Sequence, residues 1–229
     1  MDQTNPINWT GLHGAAEGLA VAQASRASNA PIVVVADSAR RLRVLADEIT
    51  FFIGSDSTVP IIQFPDRECL PYDTVSPHPD ITSERLKTLS RLTEVSNGIL
   101  LLTVSTLSQR LPPPDYVLGQ SFALSSGTNI DNANLRTRLV MAGYVSVSQV
   151  TYPGEYAVRG GVIDIYPMGS DQPFRLDLFG DQVERIRFFN PETQKSTHST
   201  DSIELLPGRE YPTSDDAISL FRANFRKLF

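Results

Sequence analysis

A glycine-containing segment near the start of the chain has the spacing of a phosphate-binding loop but lacks its reactive side chains. The segment reads Gly11-Leu12-His13-Gly14-Ala15-Ala16-Glu17-Gly18. In an NTPase loop of the form G-x-x-x-x-G-K-[S/T], the lysine contacts the β- and γ-phosphates and the hydroxyl binds Mg²⁺. Counted from Gly11, the second glycine is replaced by Ala16, the lysine by Glu17 and the hydroxyl residue by Gly18. Because a carboxylate repels phosphate, the sequence predicts a degenerate loop.

The remaining sequence offers no replacement for the missing lysine. Lys87, Lys195 and Lys227 do not lie in glycine-rich segments. The three histidines and Cys69 are not at metal-ligand spacing from one another. We therefore expect no catalytic residue, no metal and no cofactor in this chain. An active half of a helicase-like ATPase is the alternative, and it would require measurable ATP binding.

A pair of strands with two unlike faces forms a second candidate site. Alternation along residues 174–179 puts Phe174, Leu176 and Leu178 on one face, so the other carries Arg175, Asp177 and Phe179. Beyond the tight turn predicted at residues 180–182, the same face continues with Arg185, Arg187 and Phe189. Arginines beside exposed aromatic rings are typical of protein-binding hot spots.

Upstream, Arg159 precedes Gly160-Gly161, where we expect a β-bulge that turns the arginine outward.

Two other interpretations of this face stay open. Charged side chains are ordinary on the solvated side of an antiparallel sheet, and four arginines could also bind DNA. The overall charge argues against a dedicated nucleic-acid binder, because 20 Lys and Arg face 26 Asp and Glu, a net charge of −6.

Composition and periodicity predict a folded protein with two kinds of sheet. Hydrophobic residues make up 41% of the 229 residues, and no stretch is long enough to cross a membrane. The single cysteine suits a reducing cytoplasm, where we expect the protein to reside.

The apolar runs at 32–36 and 98–104 predict strands buried on both faces of a parallel sheet, separated by helices. After the proline triplet 112–114 the strands look antiparallel, which indicates a domain boundary near residue 115. Helices are predicted at 11–28, from Asp37 or Ser38 past Ile49, from Thr82, at 105–111, at 130–142 and at 213–229.

Two long segments of the chain resemble the N-terminal region of the bacterial transcription-repair coupling factors. The first runs from Leu70 to Ile81 as LPYDTVSPHPDI and continues with Ser83-x-Arg85-Leu86. The second runs from Gly154 to Ser170 as GEYAVRGGVIDIYPMGS, followed by residues 173–179 and 203–207. The excision-repair helicase subunit UvrB carries a similar second pattern.

The resemblance implies a fold and a set of partners. The fold is α/β: a degenerate RecA-like (P-loop NTPase-like) parallel-sheet domain at 1–115, with an inserted, largely antiparallel α+β domain that is UvrB-like at 116–208. A truncated return segment of the first domain follows at 209–229. In the family the inserted domain binds the damage-sensing ATPase UvrA through two arginines and a phenylalanine, at positions that hold here Arg159, Arg175 and Phe179.

The resemblance further implies that this chain is a non-catalytic UvrA-recruitment module of an ATP-dependent DNA translocase. RNA polymerase and double-stranded DNA would bind other domains of the full-length protein. Its C-terminal domain, absent here, would mask the UvrA-binding surface. No membrane association is expected.

Overall fold

The computed structural model describes residues 8–55, 57–70 and 73–228. Pro71 and Tyr72 of the first family segment lie outside the described residues, as does Phe229 at the end of the predicted last helix. The chain divides into two compact units, which are described separately. The first runs to Asp66 and includes Val95–Gln109, and the second comprises Arg67–Glu94 and the chain from Arg110 onward.

Helices and strands alternate in the first half of the chain, and strands dominate the second. The helices of the described residues are α1 (Ala16–Ala27), α2 (Ala39–Ile53), α3 (Pro79–Leu92), α4 (Val104–Leu107), α5 (Pro114–Gly119), α6 (Asn132–Met141) and α7 (Asp215–Leu228). The strands are β1 (Ile32–Ala36), β2 (Ile61–Gln63), β3 (Ile99–Thr103), β4 (Phe122–Ser125), β5 (Val145–Ser146), β6 (Glu155–Arg159), β7 (Val162–Ile165), β8 (Phe174–Phe179), β9 (Gln182–Phe189), β10 (Ser196–Thr200) and β11 (Ser202–Leu205).

The first unit is built on a three-stranded parallel sheet in the order β1-β3-β2. Helices α1 and α2 pack with it in one hydrophobic cluster, which includes Ala22, Ile49 and Leu101, all fully buried. The expectation that β1 is buried on both faces is wrong, because Val33 is 52% exposed and Val35 is 40% exposed. Among the described residues the cluster with α1 and α2 covers only the other face of β1, to which Val34 and Ala36 belong.

Local signals set the helix starts. α1 begins at Ala16 rather than Gly11, since Gly11 and Gly14 have φ angles of 75° and 59° that a right-handed helix does not allow. Of the two predicted starts, Asp37 and Ser38, it is Ser38 that caps α2, by accepting a hydrogen bond from the Arg41 amide. α3 begins at Pro79, three residues before the predicted start, because His78 Nδ1 caps it by accepting from the Asp80 amide at 3.3 Å.

The second unit contains a six-stranded sheet in the order β10-β9-β8-β7-β6-β5. β5 runs parallel to β6, and every other pair in this sheet is antiparallel. One face of the sheet packs against α6 and the β4–β11 ribbon around a core that includes Leu139, Ile163, Leu176 and Ile186, each 0% exposed. This core fixes which side chains of β6–β9 point the other way.

A buried ion pair ties α3 to the chain after β11. Arg85 has 0% of its side chain exposed, and its Nε lies 2.5 Å from Oε1 of Glu210, which is itself 6% exposed. Arg67 Nη2 approaches the second oxygen of Glu210 at 2.6 Å. Arg85 belongs to the first family segment, and here its role is structural.

The parallel and antiparallel sheets confirm the predicted mixed α/β class. The RecA-like assignment of the first unit stays a prediction, as do the domain boundaries. Among the described residues, no helix combines the length and apolar character needed to cross a membrane.

Candidate partner-binding face

Two hairpin turns place Arg159 and Phe179 at the same end of the six-stranded sheet. Arg159 pairs with Val162 across a two-residue turn, so the predicted bulge at Gly160-Gly161 is a tight turn instead. Phe179 pairs with Gln182 across a second two-residue turn. Gly160 and Gly180 have φ angles of 59° and 60°, which such turns require and which glycine adopts without strain.

The register gives the spacing between these two side chains. Arg159 is paired with Val162, which is paired with Asp177, and Phe179 follows two residues later on the same face. Adjacent strands lie about 4.8 Å apart and each residue rises about 3.4 Å, so Arg159 and Phe179 are roughly 12 Å apart. One partner surface can therefore contact both.

Arg159 and Arg175, the two arginines that the resemblance assigns to UvrA binding, share one buried carboxylate. Asp164 on β7 is 1% exposed, and its Oδ2 accepts a 2.6 Å hydrogen bond from Arg159 Nη2. Arg175 Nε donates to Asp164 Oδ1 at 2.7 Å, and its Nη2 donates to Oδ2 at 2.9 Å. The bidentate pair fixes the plane of the Arg175 guanidinium, and hydrogen bonding to Asp164 raises the pKa of Arg175.

Arg159 and Arg175 differ in what they leave available to a partner. The side chain of Arg175 is 17% exposed, and its Nη1 donates to the Gln194 carbonyl at 3.2 Å. The side chain of Arg159 is 54% exposed, and its Nε and Nη1 have no hydrogen-bond acceptor among the described residues. Arg159 is thus the more accessible donor of the two.

The remaining residues of the predicted face behave differently from one another. Phe179 is 79% exposed. Arg187 makes a bidentate pair with Asp177, at 2.9 Å from Nε to Oδ2 and 2.8 Å from Nη2 to Oδ1. Arg185 is exposed and forms no ion pair with any described residue. The face therefore presents a free aromatic ring, two accessible arginines and two arginines held by carboxylates.

The suggested extension of the face to Phe189 is wrong. Phe189 is 1% exposed and packs with Val150 and Ala157 in a small separate cluster. The guanidinium of Arg175 lies 4.9 Å from the centre of its ring, a distance typical of a cation–π contact. Phe189 therefore packs against the Arg175 guanidinium and is too buried to contact a partner.

The glycine-containing segment has packing roles in the first unit. Glu17 lies in the first turn of α1 and forms a salt bridge with Arg41 of α2. Gly18 is buried, and a side chain there would overlap Cβ of Glu48 on α2. Ala16 is half-buried, while Gly11 and Gly14 are exposed ahead of the helix. In the described part of the chain, no cluster of three or more His, Cys, Asp or Glu side chains is arranged to hold a metal ion.

Comparison with known proteins finds a matching domain family and several similar proteins. Residues 122–211 match the family model of the UvrB interaction domain. This range includes Arg159, Asp164, Arg175 and Phe179. The chain is also 43% identical over 217 residues to the transcription-repair-coupling factor of Haemophilus influenzae and 40% identical over 218 residues to that of Escherichia coli. Residues 122–211 thus match a UvrB interaction domain, and the chain is similar to one region of the transcription-repair-coupling factors.

The similarity to these relatives extends across most of this chain but covers only a small part of each relative. The matches cover 93% and 95% of this chain, yet only 18% and 19% of the Haemophilus and Escherichia proteins. The factor of Bacillus subtilis is 30% identical over 200 residues, which is 17% of its length. The chain therefore spans less than a fifth of the curated relatives that it matches.

Sequence reasoning assigned no role to Asp164, although it lies in the second family segment. A signal was present: Asp164 is the one charged residue in the apolar run Val162-Ile163-Asp164-Ile165. An isolated carboxylate in a buried strand requires a charged or hydrogen-bonded partner. Finding that partner needs the register, which sets Asp164 opposite Arg175.

Proposed function

We propose that this chain recruits the damage-sensing ATPase UvrA and so links a stalled RNA polymerase to nucleotide excision repair. The observation that carries the proposal is the pair of Arg159 and Phe179, both exposed on one sheet face inside the UvrB interaction domain. Residues 116–208 would act as the UvrA-binding unit. RNA polymerase and double-stranded DNA would be bound by other parts of a full-length coupling factor.

The chemistry of the face suits an acidic partner surface with an apolar pocket. Arg159 can offer its unoccupied Nε and Nη1 to a carboxylate in charge-assisted hydrogen bonds. Phe179 would bury its ring, and an exposed aromatic ring gives a large contact area for little loss of conformational entropy. Arg185 would add a cation from β9, whereas Arg175 would contribute mainly by fixing the shape of the surface.

A binding measurement with three substituted positions tests this function. We expect UvrA to bind the chain, and the variant R159A/R175A/F179A to lose most of that affinity in isothermal titration calorimetry. The matched control is R136A, which removes an exposed arginine from α6, on the far side of the same sheet. Circular dichroism and thermal melting must show each variant folded. Equal affinity of the folded triple variant and the unchanged chain would refute the proposal.

We also propose that the chain itself has no NTPase activity. Glu17 is engaged by Arg41, and Gly18 fits closely against Glu48, which supports a packing role for the residues that a phosphate loop would use. Calorimetry at millimolar ATP should show no binding heat. A saturable heat that is lost on changing Gly11 and Gly14 would contradict this statement. Binding of duplex DNA that weakens steeply with salt would instead support the DNA-binding alternative.

A further inference from the structure

Asp164 is a buried carboxylate on the face of the sheet opposite the main hydrophobic core. We infer that it is a positioning residue of the partner-binding face, holding the Arg159 guanidinium in the orientation in which it meets an acidic group of the partner. The inference rests on the proposed function, since it concerns how the same surface is prepared for binding.

The strand register explains why Asp164 can reach both arginines. Its cross-strand neighbours are Ala157 on β6 and Arg175 on β8. Ala157 is buried, and it has no side chain beyond Cβ that would separate Arg159 from Asp164. Arg159, two residues after Ala157 on the same face, reaches Asp164 diagonally with its Nη2, as long side chains of diagonal neighbours can. A larger residue at position 157 would exclude it.

Arg175 and Asp164 form the rigid part of this arrangement. Asp164 is 1% exposed and Arg175 is 17% exposed, and two hydrogen bonds join them. Further contacts with the Gln194 carbonyl and the Phe189 ring restrain Arg175 from the other side. The carboxylate therefore has a defined orientation before Arg159 binds to it.

The fixed carboxylate restricts the orientation of the Arg159 guanidinium. An arginine at a strand end that is 54% exposed would otherwise sample many rotamers. The guanidinium is planar, so a bond from Nη2 to Asp164 also restricts where Nε and Nη1 point. Restricting a side chain before association reduces the entropy lost on binding. Asp164 should thus raise affinity without contacting the partner.

A double-mutant cycle separates positioning from simple stabilisation of the domain. We expect D164N to weaken UvrA binding about tenfold in the unchanged chain, the effect of losing one hydrogen bond between charged groups. In an R159A background the same substitution should have an effect of less than about twofold. An equal loss in both backgrounds would overturn the inference, because a purely structural effect does not depend on Arg159.

The chain supplies a matched control for this cycle. Asp177 makes the same kind of bidentate pair with Arg187 on the same face, and it has no bond to Arg159. D177N should therefore change affinity by the same factor with and without Arg159. Coupling of D177N to Arg159 as strong as that of D164N would also contradict a specific role for Asp164.

A measurement on the unsubstituted chain decides the question if D164N does not fold. Nitrogen-15 NMR of the arginine side chains should show restricted motion of the Arg159 guanidinium and free motion of Arg185, which is exposed and has no ion-pair partner in the described part of the chain. Equal mobility of the two guanidinium groups would overturn the inference. This result needs no partner, so it is distinct from the outcome that the unchanged chain fails to bind UvrA, which would refute the proposed function instead.

Discussion

Substitution of Arg175 and of Arg159 by alanine should have different effects on stability and on UvrA affinity. R175A removes two hydrogen bonds to the buried Asp164, one to the Gln194 carbonyl and the contact with Phe189. Removing one partner of a buried ion pair costs about 3–5 kcal/mol of folding stability. Arg175 is partly exposed, and Asp164 would keep Arg159 as a partner. We therefore expect a loss of about 2–3 kcal/mol for R175A.

R159A should have little effect on stability. Arg159 is more than half exposed and makes one hydrogen bond, while Asp164 would keep both bonds to Arg175. Exposed ion pairs contribute about 0–1 kcal/mol. R159A should instead weaken UvrA binding, with a loss of about 2 kcal/mol of binding free energy, which is typical of a hot-spot residue.

Urea unfolding of both variants, followed by circular dichroism, gives the two free energies of unfolding. The free energies of the two variants can be compared only if their m-values are equal, because the unfolded states are then alike. Calorimetric titration with UvrA then gives the two affinities. An R159A variant as unstable as R175A, or an R175A variant with unchanged stability, would refute the division of roles derived from the geometry.

Three further substitutions, the first with a matched control, test other parts of the structure. F179A should leave the melting temperature unchanged and weaken UvrA binding by about 2 kcal/mol, whereas M141A, which truncates a similarly exposed side chain on α6, should change neither. G18A should destabilise the first unit by about 1–3 kcal/mol through overpacking against α2, seen as a lower thermal midpoint, and an unchanged midpoint would contradict that packing. E210Q should lower the free energy of unfolding by about 3 kcal/mol, because it removes the charge that faces the fully buried Arg85; a stability equal to that of the unchanged chain would argue against the buried pair.

Local sequence patterns predicted the elements that present the site. The apolar runs at 32–36 and 98–104 are strands of a parallel sheet, and alternation along 174–179 correctly separated Leu176 from Arg175. These features depend on neighbours in sequence, which is why periodicity detects them. The exposure of Phe179 follows from the same alternation together with its position beside a turn.

The parts that could not be predicted depend on contacts between distant segments. Phe189 has the parity of an exposed residue but is covered by a cluster containing Val150, almost forty residues earlier. Val33 lies in a strand that reads as buried on both faces, yet it is half exposed in the described chain. Asp164 was visible as an isolated charge, but only the register brings it between Arg159 and Arg175.

The close approach of α1 to α2 has a consequence for how the first unit could change during evolution. Placing a lysine at position 17 would set it against Arg41, which now pairs with a carboxylate. Placing serine or threonine at position 18 would drive a side chain into Glu48. Either change would therefore disturb the packing of α1 against α2. Introducing both residues would therefore need compensating replacements on both helices.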